Sequence, residues 1–512
     1  MRVRGFARLS YLGLLVLCSA VPAHANYVQV SETALAGDKI NFKLAWDNSW
    51  REVRTLADGS HVGKGEIKVE NWDAAWVFVK FRRKHAAAWS HATLSPKTAE
   101  HMVPKGATLD IGLTPRRARR PGVGAFIYRS ESNRGRGANK WKIALNWLRK
   151  ADGVAADAEV EIRVFAIEMV YVAKGPFALG TGGREKGRFF HADDPAEPFI
   201  VTSEDEIITK PETKGCLWGA GGAIADMWSE PWMAPDPVTL ADTGESEGYD
   251  AVWIASQEYA RERPDGKEAV IPPPIPGAFP KGFNGFYCMK YEITQGQYAA
   301  FLNSIPKASC GKSTSISESN TLYYARSPLS HRYSIHGDWP NIKAATPHVA
   351  CNFLSWKDGA SYASWAGLRP MSELEFEKAC RGPLKPVPDE YVWGTAEIAD
   401  ARYVLDPKVV GTAKERVKKK RVKKERVKKK RVKKKRVKKE HVKMEHVKKK
   451  ASGKSAGNAV YNKTVPQIGK SRQWQGFDDP TGPLRAGVFM KDNPLDRAGS
   501  GSSFWGIMEL SG

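Results

Sequence analysis

The sequence predicts two folded units in series: an all-β sandwich-like domain over residues 26–165 and an α+β domain over 166–512. Three observations predict them. From Asn26 to Phe165 apolar residues recur with period two and helix signals are scarce. Near Ala166 the pattern changes to short strands, many loops and a few helices with caps. The segment Ser355–Gly382, SWKDGASYASWAGLRPMSELEFEKACRG, carries the clearest helix punctuation in the chain.

Residues 1–25 read as a signal peptide. Arg2, Arg4 and Arg8 form a positive n-region, Tyr11 to Val21 an apolar run, and Ala23-His24-Ala25 an A-x-A cleavage site. Leu17 is too bulky for the position before a lipidated Cys18. No other run approaches the ~18 apolar residues of a membrane helix, so the expected location is periplasmic or extracellular, with no membrane span.

In the β unit, Ile40, Phe42, Leu44 and Trp46 alternate with polar or small residues. Trp141, Ile143, Leu145 and Trp147 repeat the pattern, as do Val160, Ile162 and Val164. Trp76 to Phe81 is apolar on nearly both faces, the mark of a central strand, and Gly122 to Tyr128 reads as another. Such aromatic-rich strands are expected to be core and not a sugar-binding platform. His61, His85, His91 and His101 have no metal-ligand spacing and read as surface or satisfied residues.

At 512 residues, with 42% hydrophobic residues and 17 Trp, the chain can build a sizeable core. Its net charge of +24 would ordinarily point to nucleic acid, but Lys414–Lys450 holds 23 Lys/Arg against 4 Glu and accounts for +19 of it. That insert repeats a five-residue unit with valines at 417, 422, 427, 432, 437, 442 and 447. On a helix a step of five turns about 140° beyond one full turn, so the valines make no stripe. Like charges recur at i, i+4, and the expected state is disorder or a fraying helix. Weak polyanion binding through counterion release is the function this composition allows. His441 and His446, five apart, do not share a helical metal site.

After removal of the signal, Cys216, Cys288, Cys310, Cys351 and Cys380 remain. An exported context permits disulfides, and an odd count leaves at least one thiol unpaired within the chain. No C-x-x-C or Cys/His cluster gives zinc spacing, and Cys380 is expected to be a buried small hydrophobe.

Within Ser355–Gly382, Ser355 is an N-cap and Trp356, Ala360 and Ala363, with Tyr362 and Trp365 adjoining, supply the expected apolar stripe. Gly367 ends the helix by entering the left-handed region. Pro370 forbids continuation, and Ser372 with Glu375 forms a capping box for a second helix through Cys380. Leu374, Phe376, Ala379 and Cys380 are expected to face a core, with Glu373, Glu377, Lys378 and Arg381 in water.

These residues carry a resemblance. WAGLRPMSELEFEKACRG is similar to the W-A-G-x-R-L-P-T-E-A-E-W-E-x-A-A-R-G segment of the formylglycine-generating enzyme, or sulfatase-modifying factor, family, and Tyr391-Val-Trp-Gly394 to the Y-x-W-G that follows it. Met371 and Ser372 stand where the family has Pro and Thr, and Phe376 replaces Trp. Glu168-Met-Val-Tyr-Val-Ala-Lys-Gly-Pro-Phe-Ala-Leu-Gly180 resembles the family's opening hairpin, reached with no flexible linker. Gly285–Thr294 resembles its F-x-I-x-K-Y-E-V-T strand, and Thr294 caps a helix with Tyr298, Phe301 and Leu302. Pro347–Trp356 takes the place of its P-V-x-x-V-S-W, while Thr481–Gly487 and Gly506–Gly512 resemble T-G-P-x-x-V-G and G-I-M-D-M-S-G. The loop-rich stretch 181–284 includes a polyproline spacer, Ile271–Pro276.

The resemblance implies a C-type-lectin-like fold for 166–512, interrupted by 414–450 and incomplete at the C-terminus. It also implies an enzyme in which a reactive cysteine pair binds copper and uses oxygen to convert a sulfatase cysteine to formylglycine. None of the five mature cysteines stands at the matching position, so no catalytic, cofactor-binding or metal residue is assigned. Copper belongs to the resembled enzyme, and calcium is left open as a cofactor. The expectation is an exported family protein, not catalytically competent as given, with an exported sulfatase or another protein or glycan as partner. The alternative is a non-catalytic extracytoplasmic binding or adaptor protein on the same fold. An iron-dependent sulfoxide synthase would need a helical domain with clustered histidines, which the sequence does not display.

Overall fold

The longest strand is the axis of the fold. A computed structural model describes residues 28–113, 122–133, 135–183, 189–194, 196–210, 213–219, 274–313, 322–325, 330–397, 403–405, 411–412, 417–419, 483–489 and 497–510. In chain order the first strands are β1 (Gln29–Ala36), β2 (Lys39–Ser49), β3 (Arg51–Leu56), β4 (Ile67–Arg83), β5 (Ser90–His91), β6 (Ala107–Leu113), β7 (Gly122–Arg129), β8 (Gly137–Asn146) and β9 (Val160–Val172). There follow β10 (Phe177–Leu179), β11 (Phe189–His191), β12 (Phe199–Val201), β13 (Leu217–Gly219) and β14 (Phe286–Met289).

A seven-stranded sheet has the order β14-β9-β4-β7-β6, with β3 and β5 also paired to β4. The three-stranded sheet β1-β2-β8 lies over one face of it. Ile40, Phe42, Leu44, Ile143 and Leu145 meet Val77, Val79, Ile162 and Val164 there, as the period-two alternation predicts. Trp46 is buried in the same layer and takes the half-buried Trp141 edge-on at 5.1 Å.

Every residue of β4 from Asn71 to Phe81 is buried, because helices cover its other face. Trp76, Phe78, Phe165, Ile167 and Met169 pack against Tyr298, Phe301 and Leu302 of α1 (Gln295–Leu302) and Tyr362 of α2 (Trp356–Trp365). The second unit also adds a strand to the sheet: β14 pairs with Met169–Val172 of β9. Strand β9 is continuous through 165–166, so its two halves serve both units. At the far end α3 (Glu373–Arg381) brings Ala379 against Trp50, Val69, Val170, Val172 and Phe504.

Helices α1, α2 and α3 have complete capping boxes. Ser355 pairs with Asp358, Ser372 with Glu375, and Thr294 with Gln297. Gly367 ends α2 at φ +73°, as expected.

The faces of α2 and α3 differ from the expectation. Trp356 is 76% exposed, and the inward stripe is Asp358, Tyr362 and Ala366, backed by Trp365. The i, i+4, i+8 row that meets α1 wins because Tyr298 Oη donates to Asp358 Oδ1 at 3.0 Å. On α3, Leu374 and Ala379 are buried as expected, but so are Lys378 and Arg381, while Phe376 is only half-buried. Lys378 Nζ is drawn in by the carbonyls of Gly282 and Phe283. Arg381 is held by Glu377, Glu390 and the Ala178 carbonyl.

In the basic insert, Val417–Lys419 forms a short antiparallel strand with Tyr403–Leu405, where a disordered or helical segment was expected. The rest of 414–450 lies outside the described residues, as do the signal peptide with Cys18, residues 271–273 of the proline tract, residues 481–482 and residues 511–512. Among the described residues no helix is long and apolar enough to cross a membrane.

Candidate functional site

Where β14 joins the sheet, three charges are sealed away from water. Asp73 on β4, Glu168 on β9 and Lys290 just past β14 are each at most 2% exposed. Lys290 Nζ lies 3.0 Å from Glu168 Oε2 and 3.3 Å from Asp73 Oδ2. Period two puts all three on the face that carries the sandwich core, since β14 pairs Cys288 with Val170 and Lys290 sits two residues on. Asp73 is fixed further by Trp46 Nε1 at 3.2 Å, Ser49 Oγ at 2.7 Å and the Trp50 amide at 3.0 Å. Lys290 also lies 4.7 Å from the Trp50 ring centre.

The net charge of the fully ionised triad would be −1, and Glu168 bears the consequence. Burial pushes its carboxyl up to about 7 against the opposing pull of Lys290, and Oε1 has no hydrogen-bond partner. Burial opposes the Lys290 ammonium, yet Glu168, Tyr291 and Asp73 outweigh it and raise its pKa. A protonated Glu168 beside Lys290 and Asp73 leaves this seam neutral. Such a network holds elements in register; with no approach from solvent it is not placed to act on a substrate.

All five described cysteines are free. Cys216 and Cys288 are buried, and Cys310, Cys351 and Cys380 half-buried. Burial pushes Cys288 up to about 12 and Cys310 up to about 11, and raises Cys351, with Asp358 adding to it. Cys380 is raised well above the usual thiol range by burial, then by Glu377, with a smaller contribution from Cys288. A copper site of the resembled kind needs paired thiolates. Cys288, Cys310, Cys351 and Cys380, held protonated by burial, do not fit it, and no chemistry is derived through copper.

Of the histidines, His61 is fully buried, with Nε2 2.8 Å from the Gly65 carbonyl and Nδ1 taking the Gly63 amide at 3.0 Å. His101 Nε2 lies 2.9 Å from the Ser95 carbonyl, and its Nδ1 takes the Asn146 amide at 3.1 Å. His91 bridges the Val123 carbonyl and Lys80 Nζ, and His85 is exposed. Among the described residues no group of three or more His, Cys, Asp or Glu is placed to hold a metal ion.

Sequence reasoning missed the role of the triad. The available signal was Asp73, one carboxylate opening a run of apolar residues, together with Glu168 and Lys290 inside strand motifs. Their convergence depends on strand order, which periodicity does not give.

Sheets with a few short capped helices mounted on them define an α+β protein, joined through a sealed ionic seam. Residues 248–431 match the family model of the sulfatase-modifying factor enzyme 1-like domain, a match that supports the resemblance to the formylglycine-generating enzyme, or sulfatase-modifying factor, family. Of the triad, Lys290 lies inside the matched segment, while Asp73 and Glu168 lie outside it. No curated protein and no solved structure matches the chain.

Proposed function

We propose that these 512 residues form an exported binding member of the family, built on its C-type-lectin-like fold, in which the β unit 26–165 and the family unit 166–512 present one rigid surface. The carrying observation is the state of the thiols: each described cysteine is packed into the fold, and burial holds four of them protonated. A thiol-based oxidation needs an accessible thiolate. The sealed triad supports the rigid-body part of the reading, because separating the units would strand a buried charge.

No catalytic, cofactor-binding or metal residue is assigned. The partner in this reading is an exported sulfatase, or another protein or glycan; calcium stays open as a structural ion. Residues 414–450 add weak polyanion binding, which should fall linearly with the logarithm of salt concentration. The test is copper(I) titration and oxygen-dependent oxidation of a Cys-x-Pro-x-Arg peptide by the purified chain. The expected result is no stoichiometric copper binding and no turnover. Robust peptide oxidation would restore the alternative reading, a formylglycine-forming enzyme acting on an exported sulfatase.

A further inference from the structure

Beneath the C-terminal end of α2 two bases face each other. Lys80 on β4 pairs across the ladder with His91 on β5, and its Nζ lies 3.0 Å from His91 Nδ1. The His91 ring stacks on Phe78 at 5.9 Å. A Cβ on Gly367, the residue that ends α2, would stand 3.4 Å from His91 Cε1. Lys80 Nζ also lies 5.4 Å from the ring centre of Trp365, the last residue of α2. Lys80 is 6% exposed and His91 half-buried.

The partners fix the tautomer. His91 Nε2 faces the Val123 carbonyl, which can only accept, so Nε2 carries the ring proton and Nδ1 is bare. Lys80 Nζ therefore donates to Nδ1, its one hydrogen bond among the described residues. A proton on Nδ1 would turn that acceptor into a donor and set two cations 3.0 Å apart.

The surrounding charges do not compensate. Arg82 lies two residues along β4 on the same face, and Arg163 on β9 stands directly opposite Lys80. Glu161 on β9 is taken by Arg82 at 2.7 Å. Asp152, in the turn Arg149–Asp152, accepts from the Thr93 amide at 2.8 Å, from Thr93 Oγ1 at 2.6 Å and from Trp147 Nε1 at 2.6 Å. Residues 359–367, helix α1 and residues 122–128 of β7 bring no charged side chain. Burial lowers Lys80 to about 7. Burial and then Lys80 lower His91 to about 4, against the Val123 carbonyl, Asp152 and the Trp365 carbonyl.

We propose that Lys80 and His91 form a proton-operated latch for α2: with Nδ1 bare the helix end is docked on the sheet, and a proton on Nδ1 releases it. The latch does not rest on the function proposed above. In the released state His91 regains its ordinary 6.5, so docking is at full strength above about 6.5 and is lost as pH falls toward about 4. Lys80 acts in the same direction between about 10.5 and 7, above the range tested.

The test is hydrogen exchange on the full chain at pH 7 and pH 5, corrected for intrinsic exchange rates. The reporters are the amides of Ala366, Gly367 and Leu368, which donate to the carbonyls of Tyr362, Ser364 and Ala363. They should lose protection by at least about tenfold at pH 5. Amides of β2, in the other layer, should show no parallel loss, because Glu168 shifts overall stability the opposite way over this range. His91→Gln should keep the reporters within about twofold between the two pH values. Where that variant fails to fold, Lys80→Met is read in its place; without the facing cation it should show a smaller pH change than wild type. Unchanged protection in wild type, a parallel loss in β2, or a folded variant with the full wild-type change would overturn the proposal.

Discussion

The indole Nε1 of Trp76 donates to the carbonyl of Ala366 at 2.7 Å, so the central strand of the β unit caps the end of α2. The ring lies over Gly112 and Gly124, where any Cβ would approach it to 2.5 Å. Trp76→Phe keeps most of the packing and strands the carbonyl, which should cost about 1–3 kcal/mol. Trp76→Ala opens a cavity as well and should cost about 3–5 kcal/mol in denaturant titration. Equal and negligible losses would mean that this contact does not join the two units.

Glu168 sets a pH dependence. Its carboxyl titrates near 7 in the folded chain against an ordinary 4.5, so the native state keeps a proton that the unfolded chain has already released. This contribution is therefore full below about 4.5 and is lost as pH rises to about 7. Glu168→Gln should flatten stability across that window, measured by urea midpoints at a series of pH values. A wild-type slope retained in the variant would exclude Glu168 as its origin.

Thiol reactivity follows from the same burial. With Cys288 pushed up to about 12 and Cys310 to about 11, native protein at pH 8 should react slowly with an aromatic disulfide reagent. Denatured protein should react at once. Rapid titration of a thiol pair in the native state would remove the main support for the binding reading.

The second capping box gives a local test. Ser372 Oγ takes the Glu375 amide at 3.1 Å and also donates to the Pro280 carbonyl at 2.8 Å. Ser372→Ala should therefore cost about 1–2 kcal/mol. Leu374→Ala should cost about 2–5 kcal/mol, and Phe376→Ala less than Leu374→Ala, because the Phe376 ring is only half-buried. The reverse order in thermal or denaturant unfolding would show that α3 packs on its other side.

What could be read from the sequence depended on how local the cause was. The caps at Thr294, Ser355 and Ser372, the left-handed Gly367 and the alternation along β2 are fixed by residues a few positions apart, and they form as expected. The inward face of α2 is a tertiary choice, made by Tyr298 on Asp358, which no period in the helix itself specifies. Lys378 and Arg381 carry charges that propensity assigns to water, yet backbone carbonyls far away in sequence, together with the carboxylate of Glu390, receive them. The triad is no more local, since Lys290 meets Asp73 across 217 positions.

The central claim is that the β unit and the family unit form a single body through β4 and β9. Differential scanning calorimetry of the full chain tests it most directly, alongside the Lys290→Met variant, which removes the cation at the seam. One transition is predicted for wild type, with calorimetric and van't Hoff enthalpies equal. Lys290→Met should lower that one transition as a whole, because it leaves two buried carboxylates unpaired. Two separate transitions in wild type, or a variant in which only one part of the chain melts earlier, would contradict the account.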